Sequence, residues 1–425
     1  MSSDLSHQDL SNQATVQGQQ GTFPTGLSDH VNAGMTPEEL SETKRYHTCH
    51  LVCRLLDTFL DLGVLASIVF FCATPFDAWL QSFHPFQSAW WRLPIFFLTI
   101  TAIHLVLSFP LAYYAGFVLE HRFQLSRQSQ LRWLARHLVK CSLSSGFGLL
   151  LVTTVFGIIW FFGTWWWCVA ALVAFLFSIG VGQLAPVLIL PLFYKIEKMT
   201  DPALTAQFHQ LAAGTSLQIE GVYRMCLSKE TVKANAMLAG LGRTRRVILG
   251  DTLITGFTAD EVAVVLAHEI GHHVFRHIPK LIGLGMISSL LSLWFCDVVL
   301  RWQLAAGEVI DYRQVPVSFL PLLMLLVTAC SLIYTPLQNT LSRHFERQSD
   351  QFALQKTGNP DAFRSAFRKL AKLNKADPDP PVLQVWLFHD HPPISERLAY
   401  AEVEPTMLSD DREKHSTSLS CAKRL

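Results

Sequence analysis

The chain has 425 residues, of which 16% are charged and 50% hydrophobic, and its mean hydropathy is +0.29. An ordinary soluble domain carries about 25% charged residues, so this chain is neither disordered throughout nor a typical soluble enzyme. Its 34 basic and 33 acidic side chains leave a formal net charge of +1, which gives no electrostatic footprint for nucleic acid.

The first 46 residues are rich in Ser, Gln, Thr and Gly. They offer little to bury, and the composition predicts a disordered polar tail over 1–46. No basic region followed by an apolar core marks a cleavable signal peptide there. His47, Cys49, His50 and Cys53 then fall close together. That cluster reads either as a metal site or, more plainly, as a helix start at a membrane surface. The nine cysteines are odd in number and scattered, which excludes a disulfide framework.

A bilayer core about 30 Å thick needs about 20 helical residues. Six stretches are long and apolar enough, at roughly 51–74, 94–119, 144–163, 165–190, 281–302 and 316–338. Gly163 and Thr164 join the third and fourth, which predicts a tight helical hairpin flanked by interfacial aromatics such as Trp160, Phe161, Trp165 and Trp166. Basic residues alternate between loops. Lys44 and Arg45 precede the first span, and Arg122, Arg127, Arg132, Arg136 and Lys140 follow the second, whereas the first loop holds only Arg92 and the fifth only Arg313. The positive loops place both termini and both large polar segments in the cytoplasm.

Several spans carry charges. Arg54, Asp57 and Asp61 lie in the first, His104 in the second, Asp297 and Arg301 in the fifth. In the first span they read either as the lining of a wet cavity or as headgroup-level charges. Asp297 and Arg301 read as a simple pair one turn apart near a membrane edge.

The most specific motif is His268-Glu269-Ile270-Gly271-His272, for which roughly 0.02 chance matches are expected. Thr258 reads as an N-cap, with Asp260 and Glu261 in the first turn and Val262, Val265, Leu266 and Ile270 forming an apolar helical face. His268 and His272 then project one turn apart from the same face, so both imidazoles can share one zinc ion. Glu346 is the candidate third ligand, and Asp350, one turn later, can accept the distal N–H of a ligand imidazole. His273 and His277 read as helix-surface residues. Two spans separate His272 from Glu346, which returns the chain to one side of the membrane. His391 sits before Pro392 and Pro393 in a rigid turn.

These motifs, in this order, resemble the type I CAAX prenyl endopeptidases. The resemblance covers Asn235-Ala236-Met237, the segment Leu241 to Leu253, the H-E-I-G-H run, Glu346 with Asp350, and His391 to Arg397. It extends to Phe117 through Phe123, and spans about 50–402. Together with the six apolar stretches, it implies a mainly α integral membrane protein with about six transmembrane helices around a hydrated chamber, closed by an α+β, zincin-like (gluzincin) catalytic domain. It implies one Zn2+ per chain on His268, His272 and Glu346, with Glu269 as general base and Asp350 orienting a ligand His. His391 would stabilise the oxyanion, and Asn235 and Ala236 would lie on the substrate-binding strand.

The expected organisation is a tail over 1–46, a four-span membrane domain over 47–192, and a metallopeptidase domain over 193–402 that includes spans 281–302 and 316–338. A flexible tail follows over 403–425. The expected partners are the lipid bilayer and a peptide or protein substrate, lipidated or membrane-associated, with no nucleic acid. A bacterial-type member in the inner membrane is favoured over one in the endoplasmic reticulum. The departures are six spans where eukaryotic members have seven, Cys226 where Asp is common two residues before Ser228, and Ser349 in place of Ala before Asp350. A heat-shock-type quality-control protease is the alternative within the same chemistry. A non-catalytic scaffold and a transporter are the alternatives outside it; the intact Glu269 argues against the first, and the lack of an inverted repeat against the second.

Overall fold

The computed structural model describes residues 33–402 apart from 200, 216, 218–219, 241–244 and 305–309. The expected tail over 403–425, most of the one over 1–46, and Leu241 lie outside the described residues.

The first helix, α1, runs Pro37–Gln81 and begins inside the segment expected to be tail. Thr36 and Glu39 close a capping box, with Thr36 N–H donating to Glu39 Oε2 at 2.9 Å and Glu39 N–H to Thr36 Oγ1 at 3.2 Å. Pro37 fills the first helical position, where no backbone donor is needed. This cap outweighs the polar composition. The helices α2 (Ala89–Arg122), α3 (Gln130–Phe162) and α4 (Trp166–Leu184, continued through Ala185–Ile189 and Leu190–Phe193) follow.

Among the described residues, five helices are long and apolar enough to span a membrane, one of them a 64-residue run over Gln130–Phe193. That run is not straight. Gly163 has φ 58° and ψ −130°, a geometry that reverses the chain and that a side chain would oppose, and α3 and α4 pack against each other. The 64-residue run is therefore a hairpin of two packed arms. Phe70, Val106, Phe161 and Ile333 are exposed on these helices, apolar surface of the kind a bilayer covers.

The polar half contains a four-stranded sheet, β1 (Ile196–Lys198), β2 (Gly221–Met225), β3 (Ala236–Ala239) and β4 (Arg246–Gly250), in the order β1-β2-β4-β3. β2 and β4 are parallel, and β3 runs antiparallel to β4 with Ala236 opposite Leu249. β3 is thus an edge strand. The helices α5 (Pro202–Ala212), α6 (Ala259–Val274), α7 (His277–Leu304), α8 (Leu320–Thr357), α9 (Pro360–Asn374) and α10 (Val382–Phe388) complete the fold.

Two cores divide the molecule. One joins Phe208, Val247, Val264, Ile270, Phe363 and Leu398 under the sheet. The other joins Phe96, Ile159, Trp166, Leu300 and Leu323 within the bundle, so α7 and the first part of α8 pack with the N-terminal helices. The 38-residue α8 carries the chain from the bundle into the catalytic half.

Asp297 is more than a partner for Arg301. It is buried and accepts from Arg301 Nε at 2.8 Å, Trp166 Nε1 at 2.7 Å and Tyr312 Oη at 2.6 Å. It ties α4, α7 and the 310–314 turn together, and these donors satisfy its desolvated charge.

Glu120, at the end of α2, plays the same part at the other side of the bundle. It accepts from Tyr46 Oη at 2.5 Å and Lys233 Nζ at 2.9 Å. Val232 N–H donates to Leu125 O at 3.1 Å, and Arg127 N–H to Glu230 O at 2.8 Å. The membrane half therefore fixes the chain just before β3. His47 meets Lys375 O and His50 meets Glu120, so these two members of the His/Cys cluster are taken up by other partners. Among the described residues only His268, His272 and Glu346 group as metal ligands.

Candidate metal centre and substrate cleft

The helix α6 starts at the Thr258 cap, where Glu261 Oε2 accepts from Thr258 N–H at 2.7 Å. Glu261 also accepts from Ser365 Oγ at 2.5 Å and Lys369 Nζ at 2.7 Å, which docks the helix start on α9. Val262 through Ala267 and Ile270 are buried. With its apolar face so engaged, α6 turns His268 and His272 toward α8.

There Glu346 meets both. Its Oε2 lies 3.3 Å from His268 Nε2, its Oε1 lies 3.2 Å from His272 Nε2, and the two Nε2 atoms are 3.2 Å apart. His268 Nδ1–H donates to Asp350 Oδ1 at 2.9 Å, which leaves Nε2 as a lone pair. Glu346 Oε2 is buried without a hydrogen-bond donor among the described residues. Acceptors that converge in this way repel one another unless a cation joins them. Two ligands about 2.1 Å from a tetrahedral ion stand about 3.4 Å apart, close to the separations found here. The donor set therefore fits a small tetrahedral cation.

His277 departs from the expected surface position. It is buried, stacked on Phe345 with centroids 4.3 Å apart, and its Nε2 lies 3.0 Å from Gln348 Oε1. With Nε2–H donating to that amide oxygen, its Nδ1 accepts from His272 Nδ1–H at 3.1 Å. This proton assignment leaves His272 Nε2 as a lone pair aimed at Glu346. The spacing alone could not reveal it, because His277 belongs to α7, after a turn in which Arg276 has φ 55°.

Arg397 clamps Asp350 from the far side, with Nε 2.8 Å from Oδ2 and Nη2 on Oδ1. Its guanidinium lies 3.9 Å from the centre of the Phe367 ring. Arg343, which sequence reasoning passed over, is buried and donates to Val385 O at 2.9 Å and His389 O at 2.6 Å. It holds the turn that presents His391. The Nε2 of His391 is 3.4 Å from Glu346 Oε1, and its Nδ1 is 2.8 Å from Asp390 Oδ1. At the sheet, Ser228 N–H and Oγ donate to the Asp251 carboxylate at 2.9 and 2.6 Å. The loop after Cys226 is thus closed through Ser228.

Gly271 explains how closely α6 and α8 approach. A Cβ there would meet Ser349 Cα at 3.0 Å and its Cβ at 3.2 Å. Both positions must stay small, so Ser at 349 is as tolerable as Ala. Gly271→Val is expected to cost about 1–3 kcal/mol by overpacking, with metal retention falling in parallel. A melting temperature in detergent equal to the parent's would show that the helices separate freely.

Burial opposes charge on His268, yet Asp350 and Glu346 together lift its pKa to about 9. A bound cation takes the place of that proton. Burial pushes the Glu269 carboxyl up, and His268 and His272 pull it back. A cleft of about 410 Å3 opens beside the triad, lined by Asn235, Ala236, Glu269, His391 and Arg397. Asn235 O accepts from Gly250 N–H at 2.8 Å, which extends the β3–β4 pairing to the cleft.

Two family profiles account for nearly the whole chain. "CAAX prenyl protease N-terminal, five membrane helices" matches 13–195, and "Peptidase family M48" matches 198–404. The chain belongs to peptidase family M48. It is a multi-pass membrane metallopeptidase of the CAAX-protease type. An uncharacterized metalloprotease, YhfN, of Bacillus subtilis (strain 168) is 26% identical over 378 residues, 87% of each chain. A CAAX prenyl protease 1 homolog of Taenia solium is 28% identical over 336 residues, 69% of this chain and 68% of the relative. The crystal structure of S. mikatae Ste24p has the same fold, with a TM-score of 0.76 at 21% identity over 90% of this chain and 92% of that one.

Proposed function

We propose that this M48 peptidase is a zinc-dependent endopeptidase that cuts lipidated or membrane-associated peptides at the His268, His272 and Glu346 centre. The observation that carries the reading is the set of lone pairs meeting within 3.2–3.3 Å, beside the Glu269 carboxylate and the edge strand β3. A His2Glu set with one open position suits zinc. When bound, the ion supplies a Lewis acid and makes water nucleophilic at neutral pH.

The chain does the rest. Peptide backbone pairs with the free edge of β3 near Asn235 and Ala236, a mode that tolerates varied side chains. Glu269 takes the proton of the attacking water and passes it to the leaving amine. His391 donates to the developing oxyanion. Asp350 and His277 hold the two imidazoles in the tautomer that presents Nε2. The names of the CAAX prenyl protease relatives and the membrane bundle support a prenylated substrate.

Purified protein should hold one zinc per chain, and His268→Ala should lose both metal and cleavage. Elemental analysis, with mass spectrometry of products from a prenylated peptide and its unprenylated twin, reads both. A fully active preparation without metal would refute the reading.

The catalytic half faces the cytoplasm in this proposal, from the alternation of basic loops. In a cysteine-free background, Ala206→Cys and Lys372→Cys should label only from the cytoplasmic side, and Arg313→Cys only from the other. The reverse pattern would invert the orientation and leave the metal centre intact.

A further inference from the structure

Residues 380–388 read Pro-Pro-Val-Leu-Gln-Val-Trp-Leu-Phe, a stretch without a charge. As a helix it is about 13 Å long, under half the thickness of a bilayer core. An apolar run that short belongs in a protein core or in a membrane interface. For α10 the core is ruled out. Val382, Leu383 and Trp386 are 86%, 66% and 46% exposed, and no residue of the helix is buried.

The exposed face turns away from the interior. Gln384 and Phe388, one turn apart, line a cavity of about 570 Å3 together with Arg54 and Asp57 of α1. Each helical residue advances by about 100°. Val382 and Trp386, two residues to either side of Gln384, therefore point about 160° away from it. The helix is a wall, with the cavity on one face and bare apolar side chains on the other.

The spanning helices set its depth. Asn339 Nδ2 donates to Leu387 O at 2.9 Å, and Arg343 Nη1 to Val385 O at 2.9 Å. On α8, Ile333 and Leu337 are the last large apolar side chains exposed, and Gln338, Asn339, Thr340 and Ser342 follow. Asn339 and Arg343 stand about 3 and 9 Å beyond Leu337 along the helix axis. On α1, the Arg54 guanidinium carbon lies 5.9 Å from the centre of the Phe388 ring, between the exposed Val52 and Leu56. Both helices thus change from apolar to polar at the level of α10. An interfacial helix beds its apolar face about 5–10 Å into that layer, where Trp is enriched.

We infer that α10 docks on the bilayer interface through Val382, Leu383 and Trp386, and that this contact seats the turn carrying His391. Arg343 links the two, because its Nη1 also donates to His389 O at 2.6 Å. The link to His391 rests on the peptidase reading above, and the docking does not.

The test uses full-length, cysteine-free protein in phosphatidylcholine bilayer discs. An environment-sensitive fluorophore is placed on Val382→Cys or Leu383→Cys, with Ala206→Cys as the aqueous control. A lipid nitroxide near the headgroup should quench the first two labels more strongly than one at the chain end, and iodide should quench them less than the control. Metal content equal to the parent's shows that the labelled proteins are folded. Labels open to iodide and untouched by lipid nitroxide overturn the docking. So does shielding from both quenchers, which gives the face to a second copy or to another protein surface. Neither reading needs turnover.

The combined variant Val382→Gln, Leu383→Gln, Trp386→Gln should lower kcat in discs by about 10–100-fold, since about 1 Å of misplacement can cost 10²-fold. Its KM should stay near the parent's, because an oxyanion donor acts in the transition state. Added to His391→Ala, the three changes should cost nothing more. A kcat equal to the parent's, or a loss that adds to that of His391→Ala, overturns the link. If the parent cuts no peptide, the peptidase reading fails and the labels still decide the docking.

Discussion

Glu269→Gln protein is expected to keep its fold and its metal and to lose peptide cleavage by about 10²–10⁴-fold, the usual contribution of a positioned general base. Glu269 lies between the two imidazoles in sequence but not among the metal-ligating group. It lines the cleft together with Asn235, Ala236 and His391. The amide replacement has the same shape and cannot take a proton, so the ligands and the β3 edge are untouched. Elemental analysis and a thermal melt check the first half of the expectation, and single-turnover cleavage checks the second. Near-parental turnover would remove Glu269 from the reaction and leave the metal centre in need of another base.

The parts of this molecule that were legible in sequence are those fixed by local periodicity. A run of about 20 apolar residues has few folds open to it besides a spanning helix, and H-E-x-x-H on a capped amphipathic helix leaves little choice about where two imidazoles point. The Thr36–Glu39 capping box was also on the page in the sequence, but it sits in a polar stretch whose composition argues for a tail. Composition averages over a window, and a cap acts at single residues.

What sequence could not show depends on contacts between distant segments. Nothing in the spacing tells that Gly271 must accept Ser349 at 3.0–3.2 Å, or that Asp297 collects donors from Trp166 and Tyr312 as well as Arg301. His277 was misread for the same reason. The turn after α6 swings it back under His272, and no helical wheel drawn through the motif includes that turn. The link from Glu120 to Lys233 is likewise long-range. In the proposed mechanism it makes the membrane helices matter to the chemistry, since they hold the chain just ahead of the strand edge proposed to meet the substrate.

Arg397→Ala should be the most destabilising change near the centre that spares every ligand. Arg397 is 7% exposed and Asp350 is 3% exposed, so the pair sits away from water. Its Nε is 2.8 Å from Asp350 Oδ2, and its Nη2 is bound to Oδ1. Truncation removes one partner and strands the other, which costs about 3–5 kcal/mol for a buried pair. Packing on Phe367 is lost as well. Asp350 is also the acceptor for His268 Nδ1–H. A carboxylate released from its clamp holds that imidazole less firmly, and metal affinity should fall by about 10–100-fold. Melting in detergent, with and without chelator, separates the two losses. Arg397→Lys should recover charge but not the two-point grip, and so fall between the two. The pair Arg397→Met with Asp350→Asn should regain stability, since no buried charge is left alone, while metal affinity stays low. If Arg397→Ala melts with the parent and keeps its metal, Asp350 is held by His268 alone and the guanidinium contributes nothing to the centre.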